Sequence, residues 1–366
     1  MLAALSLLCN PLQPGAGGRW IAGGRRPMEL RYAAQWLERA ERRPLSLSLP
    51  LPMVGNEPLR GPAVESYFQN LLPDSQAIPT RLAGRYAAGS EDTFELLAAL
   101  GRDCVGALQI LADDENPTGY DRIEAEPLDD DGVAALLRST VAARLPGQPV
   151  REDNLRLSIA GAQEETALLR HDGRWMRPLR ATPTTHILKM PLGRVGNRQA
   201  DMRCSVYNEW LRLRLMHPLG FAVARADFAT FADHPPVLVV ERFDRRAHAS
   251  GTWLMRLTQD DLCHAHGVPP TSKYEADGGP GLEAIPQVLA GSEQSREDLR
   301  TLLASQLVVW LIAATDVHAK NFSIRLGAGG AYRLTPLYDV LSAWPVVGSK
   351  KNELPWPKAK LAMAMS

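Results

Sequence analysis

Hydrophobic residues recur at helical spacing in several stretches of the chain and alternate with polar residues in others. Apolar positions three or four residues apart form a stripe along a helix, whereas alternation puts apolar side chains on one face of a strand. The helical pattern predicts helices over residues 29–42, 64–72, 93–100, 128–145, 207–216 and 296–314. Strands are predicted over residues 44–52, 185–189, 236–240, 322–326 and 332–334, with two more runs inside 155–169 joined by a small-residue turn.

The acidic, proline-containing stretch 113–127 has no periodicity and separates two units. We therefore predict an N-terminal subdomain, a linker with a helix, and a larger domain, over residues 28–115, 116–149 and 150–366. Residues 1–27 contain an apolar run without the preceding basic residue that a signal peptide needs, followed by a Gly/Arg-rich run. We expect them to be a disordered or wrongly assigned start, with Met28 as the true beginning.

Composition narrows the class of protein. The chain has 366 residues, and its 41 Lys and Arg balance its 41 Asp and Glu. Zero net charge argues against nonspecific nucleic-acid binding as the main activity. No run approaches the ~20 apolar residues of a membrane span. The four cysteines show no paired spacing, which favours a reducing cytoplasm over a disulfide framework: Cys9, Cys104, Cys204 and Cys263.

A loop after the long apolar segment 302–314 carries the clearest candidate chemistry. Asp316 and Asn321 lie five positions apart, which is the spacing of a protein-kinase catalytic loop, where the Asp accepts a hydroxyl proton and the Asn binds a metal ion. A second carboxylate, Asp339, follows the next predicted hairpin, and Mg²⁺ takes oxygen ligands from more than one element. The alternative is that these residues are turn formers and helix caps.

Upstream residues fit a kinase small lobe in order. A Gly161 turn between two strands could lay backbone amides over phosphates, Lys189 ends a strand, and Glu209 lies on the next helix as a candidate partner for that lysine. The buried run 236–240 then changes abruptly to charge, where a kinase chain crosses between its lobes. Each signal has an ordinary alternative: a plain turn, a solvated lysine, an exposed helix glutamate.

Taken in order, five segments resemble the HipA family of bacterial toxin kinases. They are residues 158–164 (SIAGAQE), 182–189 (TPTTHILK), 240–245 (VERFDR), 315–321 (TDVHAKN) and 334–339 (LTPLYD), and the resemblance continues upstream through 43–50 (RPLSLSLP) and 70–74 (NLLPD). It implies an α+β protein with a two-lobed protein-kinase-like domain preceded by a small α+β N-terminal subdomain. The small lobe would span about 150–242 and the large lobe about 243–366.

The resemblance also implies roles for individual residues. Asp316 resembles the family's catalytic base, and Asn321 and Asp339 its metal ligands. Ser158 falls at the serine that these kinases autophosphorylate, and the added charge would repel ATP beside the phosphate loop. Residues that resemble the nucleotide-binding positions are Ala160, Gly161, Ala162, Gln163, Glu164, Glu165, Lys189, Glu241, Arg242, Phe243, His318, Tyr338 and Asp339.

By the same resemblance the chain would be a cytoplasmic, ATP- and Mg²⁺-dependent serine/threonine kinase toxin. Its target would be a translation factor such as glutamyl-tRNA synthetase, whose phosphorylation favours growth arrest and antibiotic tolerance. A HipB-like DNA-binding antitoxin would neutralise the toxin and connect it to operator DNA, and no membrane is involved.

Two departures from the family pattern support hypotheses other than an active toxin kinase. Glu165 replaces the lysine of the motif Gly-Ala-Gln-Glu-Lys-Thr, and its carboxylate would repel a triphosphate. The chain also ends at Ser366, where we expect a further helical part of the large lobe to be missing. An inactive kinase-fold module that binds an antitoxin is therefore the second hypothesis, and a small-molecule kinase on the same fold is the third.

Overall fold

A five-stranded antiparallel sheet forms the N-terminal subdomain of the computed structural model. The structure describes residues 3–8, 16–22, 27–74, 90–113, 115, 118–141 and 165–363. The strands are β1 (Ala3–Leu8), β2 (Ala16–Ala22), β3 (Glu29–Tyr32), β4 (Leu59–Arg60) and β5 (Gln109–Ala112), and they lie in the order β4-β3-β2-β1-β5. The helices are α1 (Ala34–Leu37), α2 (Pro62–Gln69) and α3 (Thr93–Leu100). Trp20 stacks on Phe68 at the centre of their shared core, with ring centroids 3.7 Å apart.

The prediction of a disordered start is wrong for the described part of residues 1–27. β1 and β2 pair with each other and occupy the middle of the sheet, and the side chains of Leu7 and Trp20 are fully buried. The predicted helix over 29–42 is also largely wrong. Leu30 and Tyr32 alternate inward around an exposed Arg31, which is a strand pattern, and only the short α1 follows.

The predicted strand over residues 44–52 is a tight turn instead, closed by a bridge between Ser46 and Leu49. Its serines bond to backbone and side chains rather than extending: Ser46 Oγ donates to Asp260 Oδ2 at 2.8 Å, and Ser48 Oγ donates to the carbonyl of His264 at 2.6 Å. This turn fastens the N-terminal subdomain to the large lobe.

A six-stranded antiparallel sheet, in the order β12-β13-β9-β7-β8-β6, forms the small lobe. Its strands are β6 (Ala125–Leu128), β7 (Glu165–His171), β8 (Arg174–Pro178), β9 (His186–Lys189), β12 (Ala226–Ala229) and β13 (Val237–Glu241). The short pair β10 (Arg194–Val195) and β11 (Ala200–Asp201) lies beside it, with helices α4 (Asp130–Val141) and α5 (Ser205–Met216). α5 packs through Val206 against Leu238 and Val240 of the sheet.

The interpretation of residues 116–149 as a linker needs correction for its described part. β6 pairs with β8, and α4 buries Val133 and Leu137 against Leu168 and Leu188 of the small-lobe sheet. The small lobe therefore begins near residue 125. The proline of this stretch suits an edge strand, and its acidic residues suit the start of a helix. The same residue types are common in linkers, so composition alone did not distinguish the two.

The large lobe combines helices with short strands and carries the loop predicted to be catalytic. Its elements are β14 (Arg245–Ala247), β15 (Leu254–Arg256), β16 (Asp260–Asp261), α6 (Leu262–His266), α7 (Ala284–Ala290), α8 (Ser295–Leu311), β17 (Ser323–Leu326) and β18 (Tyr332–Leu334). α8 buries Leu302 and Val309 in a core that includes Phe322 and Ile324, which fixes both ends of the loop between them. Within the described ranges, no helix has both the length and the apolar character needed to cross a bilayer.

Candidate active site

Lys189 is the last residue of β9, the strand between β7 and β13. Its side chain is almost completely buried. Its Nζ donates to Glu209 Oε1 at 3.0 Å and to Asp339 Oδ1 at 2.6 Å. Glu209 reaches it from the buried face of α5, and Asp339 from the segment after β18. One ammonium group therefore joins the small-lobe sheet, its helix and the large lobe.

Lys189, Glu209 and Asp339 shift one another's pKa values. Burial lowers the pKa of Lys189, but Asp339, Glu209 and Glu165 outweigh burial and raise that pKa above its ordinary 10.5. Burial raises the pKa of Glu209 to about 7, with Lys189 opposing the rise. Burial also opposes ionisation of Asp339, but Lys189 holds its pKa below the ordinary 3.8. Lys189 and Asp339 are therefore an ion pair at neutral pH.

Asp339 adopts a backbone conformation that is rare for a residue with a side chain, with φ at +59°. Such outliers persist where the surroundings fix them and often mark functional sites. The conformation turns the carboxylate so that Oδ1 meets Lys189 while Oδ2 accepts a hydrogen bond from Asn321 Nδ2 at 2.8 Å. The side chain remains 37% exposed, so it still faces the cleft between the lobes.

The loop after α8 brings three of the predicted residues together. A short 3₁₀ helix, Ala319–Asn321, follows His318, and the backbone N–H of His318 donates to Asn321 Oδ1 at 2.9 Å. This bond fixes the Asn321 amide, whose other end reaches Asp339. Burial lowers the pKa of His318 despite the nearby Asp316, so the His318 ring is neutral at physiological pH.

We call Lys189, Glu209, Asp339, Asn321 and Glu165 the Lys189 network. Asp316 is exposed at the start of the loop and is not part of this network. Its Oδ1 accepts a hydrogen bond of 2.7 Å from the hydroxyl of Tyr274, whose ring meets that of His318 edge-on at 5.1 Å. Tyr274 is a residue that the sequence interpretation missed, because it lies in a Gly/Pro-rich loop with no periodic pattern. The Tyr274 hydroxyl bonds only to Oδ1, so Oδ2 of Asp316 can accept a hydrogen bond from another hydroxyl group.

Phe243 and Tyr338 lie together where the chain passes between the lobes, with ring centroids 5.6 Å apart. The Tyr338 hydroxyl donates to the carbonyl of Lys320 at 2.7 Å, which ties this aromatic pair to the catalytic loop. Glu241 ends β13 with an exposed side chain. Phe243 and Tyr338 therefore form one aromatic pair beside the catalytic loop, and a nucleotide contact of these two residues and Glu241 stays a prediction.

Arg242 does not fit the predicted nucleotide-binding role through its side chain. Its guanidinium group is buried in an ion cluster at the lobe junction, where it bonds to Asp244 at 2.8 Å and to Asp103 of the N-terminal subdomain at 3.3 Å. Arg245 and Arg256 bond to the same Asp103 carboxylate. We call these five residues the hinge cluster. Through this cluster the Arg242 side chain connects the lobe junction to the N-terminal subdomain.

Glu165 opens β7 directly opposite Lys189 in the strand register. Burial raises the pKa of its carboxyl to about 8, Lys189 opposes this, and the carboxylates of Asp339 and Glu209 add to it. Glu165 is therefore mainly neutral at pH 7. The other predicted phosphate-loop residues and the predicted autophosphorylation site lie outside the described residues: Ser158, Ala160, Gly161, Ala162, Gln163 and Glu164.

The described residues fit a nucleotide held with a hard divalent cation. Mg²⁺ prefers carboxylate and amide oxygens, and the side chains of Asp339 and Asn321 lie next to each other, with the Asn321 nitrogen on Asp339 Oδ2 and the Asn321 oxygen on the His318 N–H. Glu209 and Asp339 contact the ammonium of Lys189, and Glu165 lies opposite Lys189 on the neighbouring strand, so bound positive charge would relieve the repulsion among these carboxyl groups. No cluster of three His, Cys, Asp or Glu metal ligands occurs within the described ranges.

The fold and this site define a two-lobed protein-kinase-like protein with an added N-terminal subdomain. Residues 18–111 match the HipA N-terminal domain, and residues 157–366 match the HipA-like C-terminal domain. The chain belongs to the HipA family, which confirms the predicted resemblance and fold class.

Two individual proteins and one solved structure are also similar to the chain. The chain is 35% identical to the putative kinase Y4mE of Sinorhizobium fredii over 87% of this chain and 73% of that protein. It is 26% identical to the serine/threonine-protein kinase toxin HipA of Shewanella oneidensis over 82% of this chain and 66% of the toxin. A solved complex of Shewanella oneidensis HipA, HipB and operator DNA contains a similar fold, with a TM-score of 0.73, 23% identity and coverage of 98% of this chain and 79% of that one.

Proposed function

We propose that this protein is an ATP- and Mg²⁺-dependent serine/threonine protein kinase that acts as the toxin of a bacterial toxin–antitoxin pair. The observation that carries the proposal is the contact of Lys189 with both Glu209 and Asp339, while Asn321 holds the other oxygen of Asp339. In this proposal these residues take the roles of the lysine, helix glutamate, metal-binding aspartate and loop asparagine that protein kinases use in phosphoryl transfer. Membership of the HipA family and the kinase names of its relatives support the same reaction.

In this mechanism the chain supplies position and charge. Bound Mg²⁺-ATP would provide the transferable γ-phosphoryl group with part of its charge neutralised. Lys189, kept cationic by its carboxylate neighbours, would hold phosphate oxygens, and Asn321 and Asp339 would hold the metal ion. Asp316 would accept the proton of the acceptor hydroxyl through Oδ2, because Tyr274 occupies Oδ1. Phe243 and Tyr338 would border the adenine end of the cleft.

The finer parts of the proposal rest on the family. We propose Ser158 as the autophosphorylation site, a translation factor such as glutamyl-tRNA synthetase as the substrate, and a HipB-like DNA-binding antitoxin as the partner. The solved Shewanella complex, which contains HipA, HipB and operator DNA, supports the antitoxin. Operator DNA would be reached through that antitoxin, which agrees with the zero net charge of this chain.

The test is transfer of label from γ-labelled ATP with Mg²⁺ to the purified chain, with mapping of the labelled residue. Asp316→Ala should lower the labelling rate by about 10³-fold, because the acceptor hydroxyl loses its base. Its melting temperature should stay within a few degrees of the wild type, because the Asp316 side chain is exposed. The matched control is the exposed Asp233→Ala in the small lobe, which should label normally. Full activity of Asp316→Ala would remove Asp316 from the proposed role.

Glu165 favours a second function, that of an inactive module that binds an antitoxin. A carboxyl group stands opposite Lys189 where the family motif has a lysine. Glu165→Lys separates the two functions. If the wild type neither binds ATP nor labels itself while Glu165→Lys does both, the natural chain is the binding module. If the wild type labels itself, this second function is refuted.

A further inference from the structure

Two residues of the N-terminal subdomain reach the proposed catalytic loop from outside the kinase domain. Both belong to the segment that follows α2: Asn70, at the end of that helix, and Asp74, after a Leu-Leu-Pro turn. Asn70 contacts the buried Lys320 within the loop that carries Asp316 and Asn321, and Asp74 contacts the buried Lys273 of a separate segment, next to Tyr274. The described part of the kinase domain therefore does not hold this loop by itself.

Asn70 acts on the loop through Lys320, which immediately precedes Asn321. Lys320 is 7% exposed, and its Nζ has three acceptors: Asn70 Oδ1 at 2.9 Å, the Asn70 carbonyl at 3.2 Å and Asp261 Oδ2 at 3.0 Å. An ammonium group has three N–H donors, so two of its three bonds depend on the N-terminal subdomain. Leaving a buried ammonium short of acceptors is costly. Loss of the Asn70 side chain removes one of the three acceptors, Oδ1, so Lys320 and the residue beside it should move towards water.

The side chain of Asn70 is itself held in a fixed position by hydrogen bonds. It is fully buried, and its Nδ2 donates at 2.8 Å both to the carbonyl of Ser66 in α2 and to the carbonyl of Val268 in the large lobe. Its side chain therefore spans α2, the segment after α6 and the catalytic loop. Such complete use of one amide group is expected where position, more than packing, is the requirement.

Asp74 acts on the other side of the loop. Its Oδ2 forms a buried ion pair of 3.0 Å with Lys273, whose side chain is 10% exposed. The next residue, Tyr274, donates its hydroxyl to Asp316 Oδ1 at 2.7 Å. Fixing Lys273 therefore fixes the backbone from which Tyr274 orients the candidate base. Because a displacement of about 1 Å at a reacting group can cost on the order of 10²-fold in rate, this placement matters for catalysis.

We propose that Asn70 and Asp74 are positioning residues for phosphoryl transfer, which makes the N-terminal subdomain part of the catalytic apparatus. Asn70 sets the metal-ligand end of the loop through Lys320, and Asp74 sets the base end through Lys273 and Tyr274. The catalytic part of this inference rests on the proposed kinase function. The structural part, that these contacts hold residues 315–322 in place, does not.

The experiment compares full-length Asn70→Ala and Asp74→Ala with Ser48→Ala. Ser48 is the matched control because it bonds to His264 in the same interface but touches neither lysine. One readout is the single-turnover rate of self-labelling and its half-saturating ATP concentration. The other is backbone hydrogen exchange of residues 315–322, which needs no activity. Both test variants should label at least about tenfold more slowly, with half-saturating ATP within about twofold and at least about tenfold faster exchange.

A double-mutant cycle tests the route from Asp74 to Asp316. Asp74→Ala combined with Tyr274→Phe should slow labelling by much less than the product of the two single effects, because both act on the same carboxylate. Ser48→Ala with Tyr274→Phe should be multiplicative. A structural role in the interface would not produce this difference. If Asp74→Ala fails to fold, Asp74→Asn, which keeps the shape and one acceptor oxygen, takes its place.

The outcomes are distinguishable. Test variants that match Ser48→Ala in both readouts overturn the inference while the kinase function stands. Faster exchange with an unchanged labelling rate shows that the contacts only stabilise the loop, and overturns the catalytic role. A wild type that never labels refutes the proposed function and with it the catalytic role, and hydrogen exchange then decides the structural part alone.

Discussion

The hinge cluster and the Lys189 network are both groups of buried charge at the lobe junction, but their charges are balanced differently. In the hinge cluster, three guanidinium groups share the carboxylates of Asp103 and Asp244, and backbone carbonyls of Cys104 and Gly106 accept further bonds. In the Lys189 network, three carboxyl groups surround one ammonium, and the Asp339 side chain is 37% exposed. The guanidinium groups of the hinge cluster find their hydrogen-bond acceptors inside the protein. The Lys189 network instead has more carboxyl groups than ammonium groups, and one of these carboxyl groups, that of Asp339, is partly exposed.

The difference shows how buried charge can indicate function. Ion clusters that are satisfied internally fix the geometry of a fold without needing a ligand. A carboxylate excess that stays open to a cleft is unfavourable unless a cation or a proton joins it, which is how active sites shift protonation. Substitutions in the two clusters should therefore affect different quantities: activity for the Lys189 network, stability for the hinge cluster.

Asp339→Asn should give the largest effect. It removes the charged metal ligand but keeps the side-chain volume, and Lys189 keeps Glu209 as its partner. We expect self-labelling to fall by roughly 10³-fold or more, because the metal ion supplies several kcal/mol of charge stabilisation in such reactions. Thermal unfolding should change little. Asp201→Asn, on the exposed edge of the small lobe, is the control. A labelling rate within tenfold of the wild type would contradict the metal-ligand assignment.

Asp103→Ala should act mainly on stability. Burial raises the pKa of Asp103, but Arg245, Arg242 and Arg256 outweigh burial and hold the pKa far below its ordinary value, so this carboxylate is charged in the fold. Removing it leaves three guanidinium groups around a single remaining carboxylate. The free energy of unfolding should fall by about 3–5 kcal/mol, as when one partner of a buried ion pair is removed.

Urea denaturation measures this loss, and the exposed Asp233→Ala provides the comparison. Asp233 also pairs with an arginine, Arg138, but its side chain is 84% exposed, so its removal should leave stability almost unchanged. Equal effects of the two substitutions would mean that the hinge cluster contributes nothing beyond a surface ion pair.

The sequence predicted the Lys189 network better than the hinge cluster. Lys189 at a strand end, and Asn321 and Asp339 on either side of a predicted hairpin, are features that the local sequence reveals. Glu209 was a candidate, but helical periodicity does not say that a charged residue will lie on a buried face. The hinge cluster could not be predicted, because Asp103 meets Arg242 across 139 residues and no local pattern records such a contact.

Long-range pairing also explains the errors in the N-terminal subdomain. β1 was read as an apolar run and β2 as a patternless one, because β5, the strand that pairs with β1 on its other side, comes about a hundred residues later in the chain. Tyr274 was missed for a related reason. Its partner Asp316 lies 42 residues away, and loop residues carry no periodic signal of burial. What local sequence cannot show in this protein is which distant residue completes a site.

Glu165→Gln should give the smallest effect and show how open the Lys189 network is. The folded pKa of Glu165 is raised from 4.5 to about 8, mainly by burial, so the folded state holds a proton that the unfolded state releases. Its contribution to stability is therefore complete below pH 4.5 and is lost as pH rises towards 8. The slope for one proton is at most about 1.4 kcal/mol per pH unit, and partial exposure should make it smaller.

The free energy of unfolding, measured in urea from pH 5 to 9, should therefore fall more steeply for the wild type than for Glu165→Gln. Above pH 8 the two curves should run parallel. Glu209 also titrates near neutral pH but is present in both proteins, so the difference between the curves isolates Glu165. Parallel curves over the whole range would mean that Glu165 is already ionised in the fold. Its charge would then add to the repulsion of a triphosphate, which would favour the binding-module function over the kinase.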